Sequence, residues 1–233
     1  MACREMMVGS HREFFKRCPF VTLGIGMTAL VLFFCGDALS FLQYDRAAMA
    51  AGEVWRGITG HWLHWSFDHF LWCTITFLAI GCICESLSRK GYIATLVAAG
   101  VVIPMVSWFA DPGLVYYRGL SGLASAIFVF ATVVMTRRAW ANRDWSGVWL
   151  PAGAGIAFTG KVIFEYLTGS ALFVDSPEIF TPVPLVHLVG GSVGLLTAYF
   201  SSWTAKSSEK LFPGATVKRD RSVVRNCRAR FSS

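Results

Sequence analysis

Ser121 lies in the run Gly119-Leu120-Ser121-Gly122. Glycines beside a serine allow a tight turn and the close approach of another chain. A serine hydroxyl becomes a nucleophile only beside a base that takes its proton, and His187 is the candidate base. Free amides at the start of a helix can stabilise an oxyanion. The combination fits acyl transfer. His69 is a third polar group in an otherwise apolar run, where polar side chains are expensive and point to function. No carboxylate stands out as a further member, so the residues read as a Ser–His dyad. The run is not the G-x-S-x-G elbow of esterases, because residue 123 is leucine and no strand precedes it.

Six apolar stretches can position these residues: 18–36, 66–84, 91–110, 119–136, 147–167 and 183–203. Each is close to the roughly 20 residues that a membrane-spanning helix needs. The chain is 55% hydrophobic and only 15% charged, against about 25% charged in a soluble domain. The expected fold is all-α, a polytopic membrane protein with six transmembrane helices. Its membrane domain covers 18–203, preceded by a cytoplasmic segment, 1–17, and followed by a basic cytoplasmic tail, 204–233. The first apolar run follows a polar leader and lacks a small-residue cleavage site, so it reads as a membrane helix and not as a signal peptide.

The formal net charge is +7, and its distribution is more telling than its sum. Arg4, Arg12, Lys16 and Arg17 precede the first stretch. Arg89 and Lys90 join the second to the third, and Arg137, Arg138 and Arg143 join the fourth to the fifth. Lys206, Lys210 and the arginines from Arg219 to Arg230 fill the tail. By the positive-inside rule both termini are cytoplasmic. The tail fits anionic lipid rather than nucleic acid. With the amino terminus inside, the second, fourth and sixth helices run from outside to inside. His69, Ser121 and His187 then all fall near outer ends. From Ser121 to Thr136 the fourth helix rises about 24 Å at 1.5 Å per residue, less than the hydrocarbon core of about 30 Å. That shortness puts Ser121 in a wet pit below the membrane surface, behind irregular backbone buried in protein.

Other features take plainer readings. The loop 37–65 mixes Asp37, Asp45, Arg46, Glu53 and Arg56 with apolar residues, and Trp55, Trp62 and Trp65 suit the headgroup level. Trp55-Arg56 reads as a loop anchor, and His61 and His64 as loop-ordering residues. Glu85 is expected to bond loop backbone or Arg89. Lys161 and Glu165, four apart, read as a snorkelling structural pair. The seven cysteines show no zinc spacing and read as packing thiols. No internal repeat of the kind that builds transporters is visible. No metal and no cofactor are expected. A competing class is a membrane haem protein ligated by His61, His64, His69 or His187. His69 remains open between a structural and a catalytic role.

Over roughly residues 52–203 the ordered pattern resembles the rhomboid intramembrane serine proteases. It comprises Trp55-Arg56, the His64/His69 segment, Glu85, Gly119-x-Ser121-Gly122 and His187-x-x-Gly190-x-x-x-Gly194. The resemblance implies a rhomboid-like helical bundle with Ser121 as nucleophile and His187 as base. It implies an oxyanion role for His69 with the Ser121 amide beside Gly119, and close packing of the sixth helix on the fourth through Gly190 and Gly194. Two positions depart from the pattern. Cys73 stands where an asparagine usually follows His69 by four, and a thiol is a weak donor. Ser125 stands where an aromatic residue usually follows the serine by four and packs on the histidine. The run Arg118-Gly-Leu-Ser-Gly and the compact form resemble the rhombosortase branch, thought to process carboxy-terminal sorting tails of exported proteins. The implied partners are membrane-protein substrates in a lipid bilayer; the short compact form suggests a bacterial inner membrane. The alternative within the resemblance is a pseudoprotease that binds membrane clients.

Overall fold

A computed structural model describes residues 18–169 and 183–211. The segment 1–17, and the tail beyond 211, lie outside the described residues. Helix α1, Phe20–Phe34, contains no charged residue. It ends where Gly36 takes φ 62° and the chain turns into a 3-10 helix, Gly36–Leu42. At 15 residues it is shorter than the apolar stretch 18–36, rising about 22 Å at 1.5 Å per residue. The loop that follows is ordered by short elements: β1 at Tyr44–Asp45, α2 at Arg46–Ala50, α3 at Arg56–Thr59 and a second 3-10 turn at Gly60–Trp62. Asp45 caps α2 by accepting from the Ala48 amide at 3.1 Å.

Helix α4 covers Phe67–Ala110 and is broken at Ser88, whose φ of −161° and ψ of 92° are not helical. Its two limbs run antiparallel. The Tyr92 hydroxyl on the second limb reaches Gly81 on the first. The far ends of both limbs return to the loops at the opposite end of the bundle, His69 against Gly119 and Pro104 against Gly57. Helices α5, Ser121–Ala141, α6, Trp145–Thr168, and α7, Pro184–Leu211, follow among the described residues. Among the described residues, four helices are long and apolar enough to cross a membrane. With α4 doubled back and the shorter α1 added, the six helical limbs fit the six expected spans. The compact unit runs to Tyr199, and a second begins at Phe200 with the last turns of α7.

Side chains such as Phe34, Phe109, Leu150, Ile156, Tyr166 and Leu167 are about three-quarters exposed. Water does not favour such a surface, whereas hydrocarbon does. The core lies along α4 and α5, with Phe77, Tyr92, Ile103, Leu120, Ile127 and Phe130 almost wholly buried. At one end of the bundle, Glu85 holds the start of α1. Its carboxylate accepts from the Thr22 amide at 3.0 Å and the Thr22 hydroxyl at 2.9 Å, and pairs with Arg89 Nε at 3.0 Å. A carboxylate on the unsatisfied amides at a helix start is favoured by both hydrogen bonding and the helix dipole. This matches the expectation for Glu85. Arg89 also donates to the Cys18 carbonyl and Arg138 to the Leu87 carbonyl, so the basic interhelical turns gather at this end, away from Ser121.

Candidate active site

Ser121 is the first residue of α5. The residue before it, Leu120, occupies the N-cap without a side chain that can accept a hydrogen bond. Most helices begin with Ser, Thr, Asp or Asn there. The first-turn amides turn instead to neighbouring side chains, the Ser121 amide to Cys73 and the Gly122 amide to the Tyr117 hydroxyl. The backbone leading in is irregular and buried, with Tyr117 and Leu120 both in the core. Residues Tyr116–Tyr117 form β2, which pairs antiparallel with β1 so that Tyr44 faces Tyr117. This two-residue ladder is absent from the all-α reading. The Gly119 amide donates to the Gly60 carbonyl at 3.1 Å, and Arg118 donates from Nε to Gln43 Oε1 at 2.8 Å while lying over the Trp65 ring. The loop 37–65 thus braces the approach to Ser121. Trp55-Arg56 contributes through an Arg56–Glu53 pair at 2.6 Å, in line with a loop anchor.

Helix α5 does not stop at Thr136 as the apolar stretch does. It runs to Ala141, with Arg137 and Arg138 in its last turns. At 21 residues it rises about 32 Å, long enough to span the hydrocarbon core, so the helix is not short enough to submerge Ser121 as expected. The buried, irregular entry into the helix remains.

Gly119 has φ 135°, a conformation that L side chains rarely adopt. A Cβ there would lie 2.8 Å from His69 Nε2 and 3.8 Å from Ser121 Oγ. The imidazole and the hydroxyl thus face the same side of Gly119. His69 is held from below: its amide donates to Ser66 Oγ at 3.2 Å, which caps α4, and its Nδ1 accepts from the Trp65 amide at 3.5 Å. With Nδ1 as acceptor, the ring proton sits on Nε2, toward Gly119. Cys73, one turn along α4, is buried against the Ser121 backbone.

Helices α5 and α7 meet at backbone contact. A Cβ on Gly190 would overlap the Gly122 carbonyl, and one on Gly194 would overlap the Ala126 carbonyl. Val186 packs directly on Gly122. Ser121 and His187, each one residue from that contact, share a level on the helix pair. Pro184 opens α7, as suits the first position of a helix. Ser125 donates to the Ser121 carbonyl at 2.8 Å, so the position after one turn of α5 carries a small, committed side chain.

Two residues at this site escape the sequence reading. The Tyr117 hydroxyl donates to the Gly119 carbonyl at 2.7 Å and lies 3.5 Å from His61 Nδ1. It also interacts with the Ser121 side chain. The second is Glu165. Its Oε2 lies 2.9 Å from His187 Nδ1, and its Oε1 lies 2.6 Å from Lys161 Nζ. The Lys161–Glu165 pair therefore forms as expected, but it is not merely a snorkelling pair, and a carboxylate does stand beside the histidine. The signal for it is its place in the last turn of α6, which brings Glu165 to His187.

The arrangement defines a polytopic helical membrane protein with a polar site at one end of its bundle. The chain matches the Rhomboid domain over residues 51–204, and it belongs to the rhomboid family. The match carries the family and no branch within it. No curated protein matches the chain.

Proposed function

We propose that the protein is an intramembrane serine protease, with Ser121 as nucleophile and His187 as base. The observation that carries this reading is Ser121 as the first residue of α5 inside a rhomboid domain, its hydroxyl on the same side of Gly119 as the His69 ring. In the proposed reaction Ser121 Oγ attacks a peptide carbonyl while His187 Nε2 takes its proton. The Ser121 amide and the His69 Nε2 proton receive the oxyanion, and Cys73 occupies the place of a further donor. His187 then returns the proton to the leaving amine, and water releases the acyl group. Gly119 supports this by bringing the His69 ring and the Ser121 hydroxyl to one face.

The substrate is a membrane-spanning segment that enters from the bilayer with its helix locally unwound. The Arg118-Gly-Leu-Ser-Gly run favours carboxy-terminal sorting segments of exported proteins as the narrower class. The basic turns at the Glu85 end favour that end, and both termini, on the cytoplasmic side of a bacterial inner membrane. The test compares membrane and exported proteins between wild-type cells and cells carrying Ser121→Ala or His187→Ala. The expected result is loss of the same cleaved products in both variants, with the proteins still present in the membrane. Unchanged processing in Ser121→Ala cells contradicts the protease reading and leaves a client-binding pseudoprotease.

A further inference from the structure

The geometry points to Glu165 as a positioning residue for His187, which makes the site a Ser–His–Glu arrangement clamped by Lys161. This rests on the protease reading above. The carboxylate is 2% exposed on α6, a helix that otherwise buries only Val148 and Pro151. A helix so exposed to lipid has little reason to bury a charge. An acidic residue in a span is disfavoured on insertion scales. Its position on the helix does not offset that. Gly169 ends α6 in the left-handed conformation and donates to the Glu165 carbonyl at 3.0 Å, so Glu165 stands in the last turn. A negative charge there opposes the helix dipole. What Glu165 gains instead is two charge-assisted partners. Lys161 fixes Oε1, and Oε2 faces His187 Nδ1.

That division of labour matters for the base. Glu165 Oε2 accepts from Nδ1–H, so Nε2 keeps its lone pair for the Ser121 proton. When Ser121 Oγ bonds to the carbonyl carbon, its proton moves to Nε2, and the ionised carboxylate faces the imidazolium that forms. Glu165 itself stays unprotonated throughout. The imidazole needs such an anchor here. Ser125 is too small to support it by packing, and its hydroxyl is committed to the Ser121 carbonyl. His187 also lies near the start of α7, where the helix dipole disfavours a positive ring.

The test is labelling of the purified full-length protein in detergent by a rhodamine fluorophosphonate, resolved into the reversible constant KI and the bond-forming rate kinact. Ser121→Ala is the blank. Glu165→Gln keeps shape and removes the charge. It is expected to lower kinact by about a hundredfold or more, within the roughly ten-thousandfold loss seen for the equivalent change in soluble serine proteases. KI stays at the wild-type value. Glu165→Asp is expected to recover at least part of the rate, which a role in packing alone does not predict. Wild-type kinact in a folded Glu165→Gln overturns the proposal while leaving Ser121 and His187 intact as the protease pair. Should Glu165→Gln lose its fold, Lys161→Met decides. It frees the carboxylate, and an unchanged kinact overturns the proposal, whereas a slower one at constant KI supports it. A wild type that labels no faster than Ser121→Ala overturns the protease reading itself.

Discussion

At the scale of single residues, the site separates donors that are held from donors that are weak. His69 is fixed through both its amide and Nδ1, so its Nε2 proton has one direction to point. Cys73 has only a thiol to offer. His69→Ala is therefore expected to slow fluorophosphonate labelling about a hundredfold, as loss of an oxyanion donor does, and Cys73→Ala to change it by less than about threefold. Equal losses in the two variants contradict this division. Ser121, His187 and His69 stand out in the sequence because each is a polar side chain in an apolar run. Glu165 was visible for the same reason, but Lys161 four residues earlier supplied a sufficient partner and concealed the second one. Tyr117 was not legible at all. A tyrosine in a loop is unremarkable until β1 and β2 pair and turn its hydroxyl onto Gly119.

At the scale of elements, the apolar stretches gave the helices and the boundaries differed for local reasons. Helix α1 is cut short by the turn at Gly36, and α5 gains length because Arg137 and Arg138 are good helix formers as well as polar ones. The folded-back α4 was expected from its two apolar runs, and Ser88 performs the break. The loop 37–65 was legible only as interfacial. Its order comes from long-range bonds, such as Arg46 to the Val115 and Trp108 carbonyls, that no local pattern announces. Two contacts carry the helix packing and can be probed. Glu85→Ala strips the Thr22 amide and hydroxyl and Arg89 of a buried partner. It is expected to cost about 3 kcal/mol, read as a lower denaturation midpoint in detergent. Gly194→Leu, which drives a side chain into the Ala126 carbonyl, is expected to separate α7 from α5 and abolish labelling even where the protein still inserts.

At the scale of the whole molecule, the braced loop links stability to acidity. Burial pushes His61 down to about 4, and burial with the neighbouring His69 pushes His64 down to about 3. Both lie in the loop outside the spans. The unfolded chain binds protons near the ordinary histidine value of about 6.5, while the folded loop resists them. Stability from these rings is complete above that value and falls as pH drops toward 4. Thermal midpoints in detergent are expected to decline across that interval, and His64→Phe to decline less steeply. A midpoint flat from pH 7 to 4 contradicts the linkage. The proposed chemistry makes Ser121 a nucleophile activated by His187. Its most direct measurement is mass-spectrometric mapping of a fluorophosphonate adduct on purified wild type, Ser121→Ala and His187→Ala proteins, each checked for a monodisperse fold. One adduct is expected, on Ser121, in the wild type alone. A folded wild type without that adduct, or an equal adduct on Ser121 in His187→Ala, contradicts it.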